Sequence, residues 1–139
     1  MALSADRPYR VQGTSRMLRV KMTTNDIYYK GAIINITAAG GLGIVASDTA
    51  AQGSMSGVIT KQLDNTGKTE YAEIEQGVIF FPLATAAQAD VGDYAYATDD
   101  STVAKTGVNS DPIGRIVDVE VGVGLWIDFL TGITKTALA

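Results

Sequence analysis

The stretch that decides the fold runs from Val117 to Phe129 and reads VDVEVGVGLWIDF. Its aliphatic residues and Phe129 fall on one parity, while the acidic residues and Trp126 fall on the other. Alternation of period two is typical of a β-strand with one buried face. Because the stretch is long for a single strand, we expect Gly122 and Gly124 to divide it into a final hairpin.

The same alternation recurs near the start of the chain. Leu18, Val20 and Met22 share one parity, and Arg19 and Lys21 occupy the other. This pattern predicts a second strand of the same kind, beginning at residue 16.

Turn signals divide the rest of the chain into short segments. DNTG at 64–67 and TDDS at 98–101 separate strand-like runs, so each predicts a hairpin. A break is expected at 76–77, before the apolar run 78–82, and one or two helical turns are expected within 84–89. The sequence therefore predicts an all-β fold: a small, glycine-rich β-barrel or sandwich with an extended N-terminal arm and at most one short helix.

Composition restricts the chemistry that is open to this protein. The chain of 139 residues suits one domain and contains no His and no Cys. Ser–His and Cys–His nucleophile pairs and His or Cys zinc sites are therefore excluded. No apolar run is long enough to span a bilayer, and the N-terminus lacks the apolar core of an export signal. We expect no enzyme, no cofactor, no metal site and no membrane partner.

Charge is distributed unevenly along the chain. Residues 1–30 carry six basic and two acidic side chains, a net charge of +4, whereas residues 31–139 carry five basic and thirteen acidic ones, a net charge of −8. An acidic body repels phosphates, so we expect no nucleic-acid partner. The basic leading segment indicates contact with an acidic protein surface, which could be its own body, a sister subunit or another protein.

Three segments are expected along the chain. Residues 1–15 show no periodicity and contain Pro8 and Gly13, so they predict an extended arm rather than a strand; a frayed tail without a role is the alternative. Residues 16–130 form the β-domain, and residues 131–139 form a peripheral tail. The residues predicted to contact that acidic surface are Arg7, Tyr9, Arg10, Arg16 and Arg19.

Three aromatic residues are candidates for an interface. Tyr28, Tyr29 and Trp126 could together contact a protein partner or a sugar, because aromatic side chains are enriched at interfaces. Half-buried packing explains them equally well.

Two other patterns have simpler explanations than a site. GLGIVA at 41–46 has the letters of a dinucleotide-binding fingerprint, but no helical repeat follows it, so a glycine-rich β-turn is expected. Glu73 with Glu75, and Asp99 with Asp100, are the carboxylate pairs that lie closest in the sequence. We interpret the first pair as a solvated strand face and the second as turn residues.

Several strings resemble a family of phage head decoration, or capsid cement, proteins. They are DVGDYAYATDDSTVA at 90–104, GRIVDV at 114–119, GLWID at 124–128 and IYYKGA at 27–32. The resemblance covers roughly residues 25–130 in the same order, and residues 1–24 match no motif of the family.

The resemblance implies a structural viral protein of the virion, bound to the capsid exterior and synthesised in the host bacterial cytoplasm. It also implies two partners: the major capsid protein, reached by an N-terminal arm, and further copies of the chain, as a trimer or less favourably a dimer. It carries over no catalytic or ligand-binding residue. The alternatives are a tail or baseplate β-subunit, or a virion-associated, carboxylate-dependent glycosidase or lyase.

Overall fold

The computed structural model of the protein describes residues 3–37, 41–46, 55–106 and 112–129. The predicted tail, residues 131–139, lies outside these ranges. The described residues form eleven strands and one turn of 3-10 helix, and no helix among them is long and apolar enough to cross a membrane. The strands are β1 (Val11–Met22), β2 (Ile27–Tyr28), β3 (Ile33–Ile36), β4 (Leu42–Val45), β5 (Met55–Ile59), β6 (Leu63–Asp64), β7 (Tyr71–Pro82), β8 (Tyr94–Ala97), β9 (Val103–Ala104), β10 (Pro112–Glu120) and β11 (Gly124–Asp128), and the 3-10 helix is Gln88–Asp90.

Nine strands form one sheet, which closes partly on itself. The order is β1-β4-β3-β5-β7-β11-β10-β8-β9, and β1 also pairs with β7. The closed ring of hydrogen-bonded neighbours therefore consists of β1, β4, β3, β5 and β7. β1 joins β4 in parallel and β7 in an antiparallel manner. The predicted all-β class is confirmed.

Two apolar cores lie on opposite faces of the ring strands. Successive side chains of a strand point to opposite faces, so Ile33 belongs to one core and Ile34 to the other. The first, which we call the ring core, contains Val20, Met22, Tyr28, Ala32, Ile34, Ile59 and Ile74. The second, the outer core, includes Ile33, Val58, Ile79, Phe81, Ile116, Leu125, Ile127 and Phe129. The alternation in 117–129 thus places Leu125, Ile127 and Phe129 in the outer core, as period two requires.

The predicted hairpins are observed in two cases and modified in a third. β10 and β11 pair around a turn at residues 121–123, and β8 and β9 pair around 98–101. The DNTG segment is different, because β6 lies within the connection between β5 and β7 and pairs with β2. Asn65 holds this longer connection: its buried side-chain amide donates to the carbonyl oxygens of Met22 and Thr23, at 3.2 and 2.8 Å.

The predicted break at 76–77 is wrong, because β7 continues through both residues. Gly77 is required by a close approach instead, since a Cβ at this position would lie 2.8 Å from the Cβ of Ser15. The strand beginning predicted at residue 16 is also wrong: β1 begins at Val11. A shift in register between Gln12 and Arg16, with Gly13 at φ +70°, hides the alternation there.

Candidate interaction site

The described part of the predicted arm, residues 3–15, lies against the chain's own body; we call it the strap. The backbone N–H of Leu3 donates to a side-chain oxygen of Asp100 at 2.8 Å. Further along, the N–H of Arg7 donates to the carbonyl oxygen of Lys30 at 2.9 Å. Of the three acidic surfaces that the charge distribution left open, the strap occupies that of its own body.

Arg7 anchors the strap internally. Its Nε donates to the carbonyl oxygen of Gly31 at 3.0 Å, and its guanidinium lies 4.8 Å from the ring centroid of Phe81, in the outer core. Burial lowers the pKa of Arg7, an effect that the negative charge of Asp100 opposes. The side chain of Arg7 is thus engaged within the chain, and its contact with a partner stays a prediction.

Tyr9 and Ser15 both donate to one buried carboxylate. The Tyr9 hydroxyl lies 2.7 Å from Oε1 of Glu75, and the Ser15 hydroxyl donates to Oε2. Glu75 is only 8% exposed, so its predicted position on a solvated strand face is wrong. The strap covers it, a long-range contact that alternation within β7 does not reveal. Burial, together with the hydrogen bond to Glu75, raises the pKa of Tyr9 well above its usual range.

The Asp99–Asp100 pair is divided between two structural contacts. Asp99 accepts the backbone N–H groups of Ser101 and Thr102 at 2.9 and 2.8 Å, as expected of a turn residue. Asp100 is buried, receives the N–H of Leu3, and has a pKa raised by burial. Both residues lie in the connection between β8 and β9, as the interpretation as turn residues requires, and Asp100 is in addition buried by the strap.

One face combines the exposed Arg10 with the half-buried ring of Trp126 and the buried ring of Phe80, and we call these three residues the aromatic face. The Arg10 guanidinium lies 4.1 Å from the ring centroid of Phe80 and 5.3 Å from that of Trp126. Phe80 and Trp126 are cross-strand partners with centroids 5.4 Å apart. Glu120 forms a 3.1 Å ion pair with Arg10, which fixes the guanidinium over the rings.

The three predicted interface aromatics do not form one platform. Tyr28 is 0% exposed in the ring core and donates to the carbonyl oxygen of Thr23 at 3.0 Å, so its prediction as an interface residue is wrong. Tyr29 is half-buried. Within the described ranges, Trp126 makes its ring contact with Phe80 and not with either tyrosine.

The second half of β1 carries exposed cations. Arg16 donates to the side-chain oxygen of Gln76 at 2.7 Å, and the Arg19 guanidinium lies 3.7 Å from the ring centroid of Tyr71. Among the residues that the structure describes, Arg16, Arg19 and Lys21 form no ion pair. These residues remain available to an acidic partner.

Sequence reasoning missed Tyr71 and Phe80, which contact the predicted arginines. Both depend on strand register, and only the aromatic character of each residue was readable from the sequence. GLGIVA forms β4 and not the start of a helix, and a Cβ at Gly43 would overlap the sulfur of Met22. Comparisons of the chain with protein-family models, curated proteins and solved structures found no match.

Proposed function

We propose that the protein is a non-enzymatic structural subunit of a phage particle that binds the outside of the capsid shell and stabilises it. The aromatic face is the observation that carries this proposal. Trp126 belongs to the string GLWID, one of those that resemble the decoration family. Trp and Arg are the side chains most enriched among residues that dominate binding energy, and here each is held in place by a neighbour.

The physical mechanism is linkage between binding and assembly. A subunit that binds only the assembled shell stabilises it by RT ln(1 + [L]/Kd) for each site, and many symmetric copies multiply the effect. We take the closed ring of five strands to be a small barrel that serves as a rigid support for this face. Further copies of the chain, as a trimer or a dimer, belong to the same proposal.

The test is co-sedimentation of the pure protein with shells that lack it. We expect Trp126→Ala to weaken binding by at least about tenfold, because it removes the central aromatic contact. Tyr94→Ala is the matched control, a truncation of another half-buried aromatic residue outside this face, and should bind as the wild type does. Equal binding by Trp126→Ala and wild type would overturn the assignment of the face.

The same experiment separates the shell from other parts of the particle. A tail or baseplate subunit would use an exposed face too, but it would bind tails and leave shells bare. Wild-type protein that binds tails only would therefore replace the shell proposal by that alternative.

A further inference from the structure

Among the described residues, the edge of β1 that faces β4 is paired only at Lys21 and Met22. The Met22 N–H donates to Glu70 on the β7 side, whereas the Thr23 N–H donates to Gly43 on the β4 side. Because alternate residues of a strand point their backbone groups to opposite edges, Met17 and Arg19 direct theirs away from β7. In the described part of the chain β4 pairs with β1 only through Lys21 and Met22, so these groups have no strand partner.

The side chains along this edge differ between its two faces. On one face Met17 is 51% exposed and Arg19 lies against Tyr71, which is itself 48% exposed. On the other face Leu18 and Val20 border an open groove between β1 and the β3–β4 strands. The groove is completed by Ile36, Leu42 and Met55. An added strand would thus meet cations on one parity and an apolar surface on the other.

We propose that this edge of β1 receives an extended segment of a partner protein in which carboxylates alternate with apolar residues. Main-chain hydrogen bonds to Met17 and Arg19 supply affinity, and side chains of period two supply specificity. The carboxylates face Arg19 and Lys21, which form no ion pair within the described residues. Charge complementarity selects such a segment, because Arg19 and Lys21 are both exposed and lie on the parity that the carboxylates would face.

A second copy of this chain is a poorer occupant than a different protein. Its own alternating acidic run, residues 118–121, lies at the end of β10, where a register shift between Ile116 and Asp118 interrupts the edge. Glu120 in that run is also engaged by Arg10. The inference goes beyond attachment to a shell, and its test uses no shell, so its failure leaves the proposed function standing.

The probe is a synthetic peptide, acetyl-Glu-Val-Asp-Val-Glu-Val-Asp-amide, added to the full-length protein. We expect the amides of Met17 and Arg19, which have no strand partner among the described residues, to become more protected from hydrogen exchange when the peptide is present. A peptide of the same sequence with alternate amides N-methylated keeps the charge but cannot form the ladder, and should give no protection. A peptide with lysine in place of each acid should not bind.

Protein variants test the same contact from the other side. Met17→Pro removes one outward N–H without touching the β7 ladder and should weaken peptide binding at least about tenfold, whereas Met17→Thr keeps the N–H and should bind normally. If Met17→Pro does not fold, the comparison of the acidic peptide with its N-methylated form decides whether the main-chain ladder forms. Equal protection by both acidic peptides would overturn the proposal. Concentration-dependent dimerisation of the pure protein that protects these same amides would also overturn it, because a second copy would then be the occupant.

Discussion

The strap and the second half of β1 belong to one continuous segment, yet they are attached to the body in different ways. Leu18, Val20 and Met22 pack on the ring core, where attachment comes from apolar area removed from water. The strap adds hydrogen bonds, such as those that Glu75 and Asp100 accept, to the partly buried apolar contacts of Leu3, Tyr9 and Val11 with the two cores. Hydrogen bonds are directional and replace bonds to water, so they fix the path of the strap while each adds little net stability.

The largest expected effect tests the apolar half of this comparison. Ile74 is fully buried and lies directly across from Leu18. Ile74→Ala should lower the free energy of unfolding by about 2–5 kcal/mol, because the lost methyl groups leave a cavity in the ring core. Urea unfolding measures it, with Val117→Ala at an exposed position as the control, expected within about 0.5 kcal/mol of wild type. A loss no larger than that of the strap variant below would break the comparison.

An intermediate effect is expected in the strap. Tyr9→Phe removes one of the two hydroxyl donors to buried Glu75 and should cost about 1–3 kcal/mol in unfolding free energy. The matched control is Tyr29→Phe, which removes a hydroxyl from a half-buried ring outside the strap and should be close to neutral.

The stability difference between wild type and Tyr9→Phe should also depend on pH in the alkaline range. The pKa of Tyr9 is raised in the folded protein, so the neutral hydroxyl is favoured there, while in the unfolded chain it ionises near about pH 10. The stability that Tyr9 contributes is full below about pH 10 and is lost as the pH rises further. The difference in unfolding free energy between wild type and Tyr9→Phe should therefore shrink above pH 10. A difference that stays constant up to alkaline pH would show that the hydroxyl does not bond to the carboxylate.

The smallest effect is expected at the other end of the strap. Asp100→Asn keeps an oxygen for the Leu3 N–H and removes a charge that burial disfavours, so at pH 7 its unfolding free energy should match or slightly exceed that of wild type. Because the pKa of Asp100 is raised, the stability of its neutral form is present below about pH 4 and is lost as the pH rises. Wild type should therefore gain on the variant when urea unfolding is repeated at acid pH. A large loss in Asp100→Asn at pH 7 would sharpen the comparison by showing that the charge itself holds the strap.

Local alternation in the sequence predicted the fold well. It predicted little of the candidate site, because the site depends on long-range contacts. The parity of 117–129 predicted the last hairpin and the buried face of β11, because the period of side chains in a strand is a local property. Val117, Val121 and Val123 share that parity but are exposed, and the register shift between Ile116 and Asp118 interrupts the alternation in β10. The burial of Glu75 and Tyr28 could not be predicted in this way, since it depends on the strap and on the connection that contains β6.

The predicted boundary between the arm and the first strand, at residue 16, is wrong for a physical reason. Residues 11–15 belong to β1, but the irregular register around Gly13 removes the alternation that would reveal a strand. The charge of the segment was read correctly as a sign of contact with acidic groups. Only the fold identifies those groups, with Arg10 on Glu120 and Arg7 near Asp100.

The closed ring has a consequence for synthesis on the ribosome. β1 is made first, but its antiparallel partner β7 begins only at Tyr71, about 60 residues after Val11. At roughly 5–20 residues per second, β1 waits on the order of 3–12 s with the edge that will face β7 unpaired. Strands with unpaired edges aggregate unless charges interrupt them. Arg16, Arg19 and Lys21 supply those charges, so the cations that mark β1 in the finished protein also protect it while the rest of the ring is still being translated.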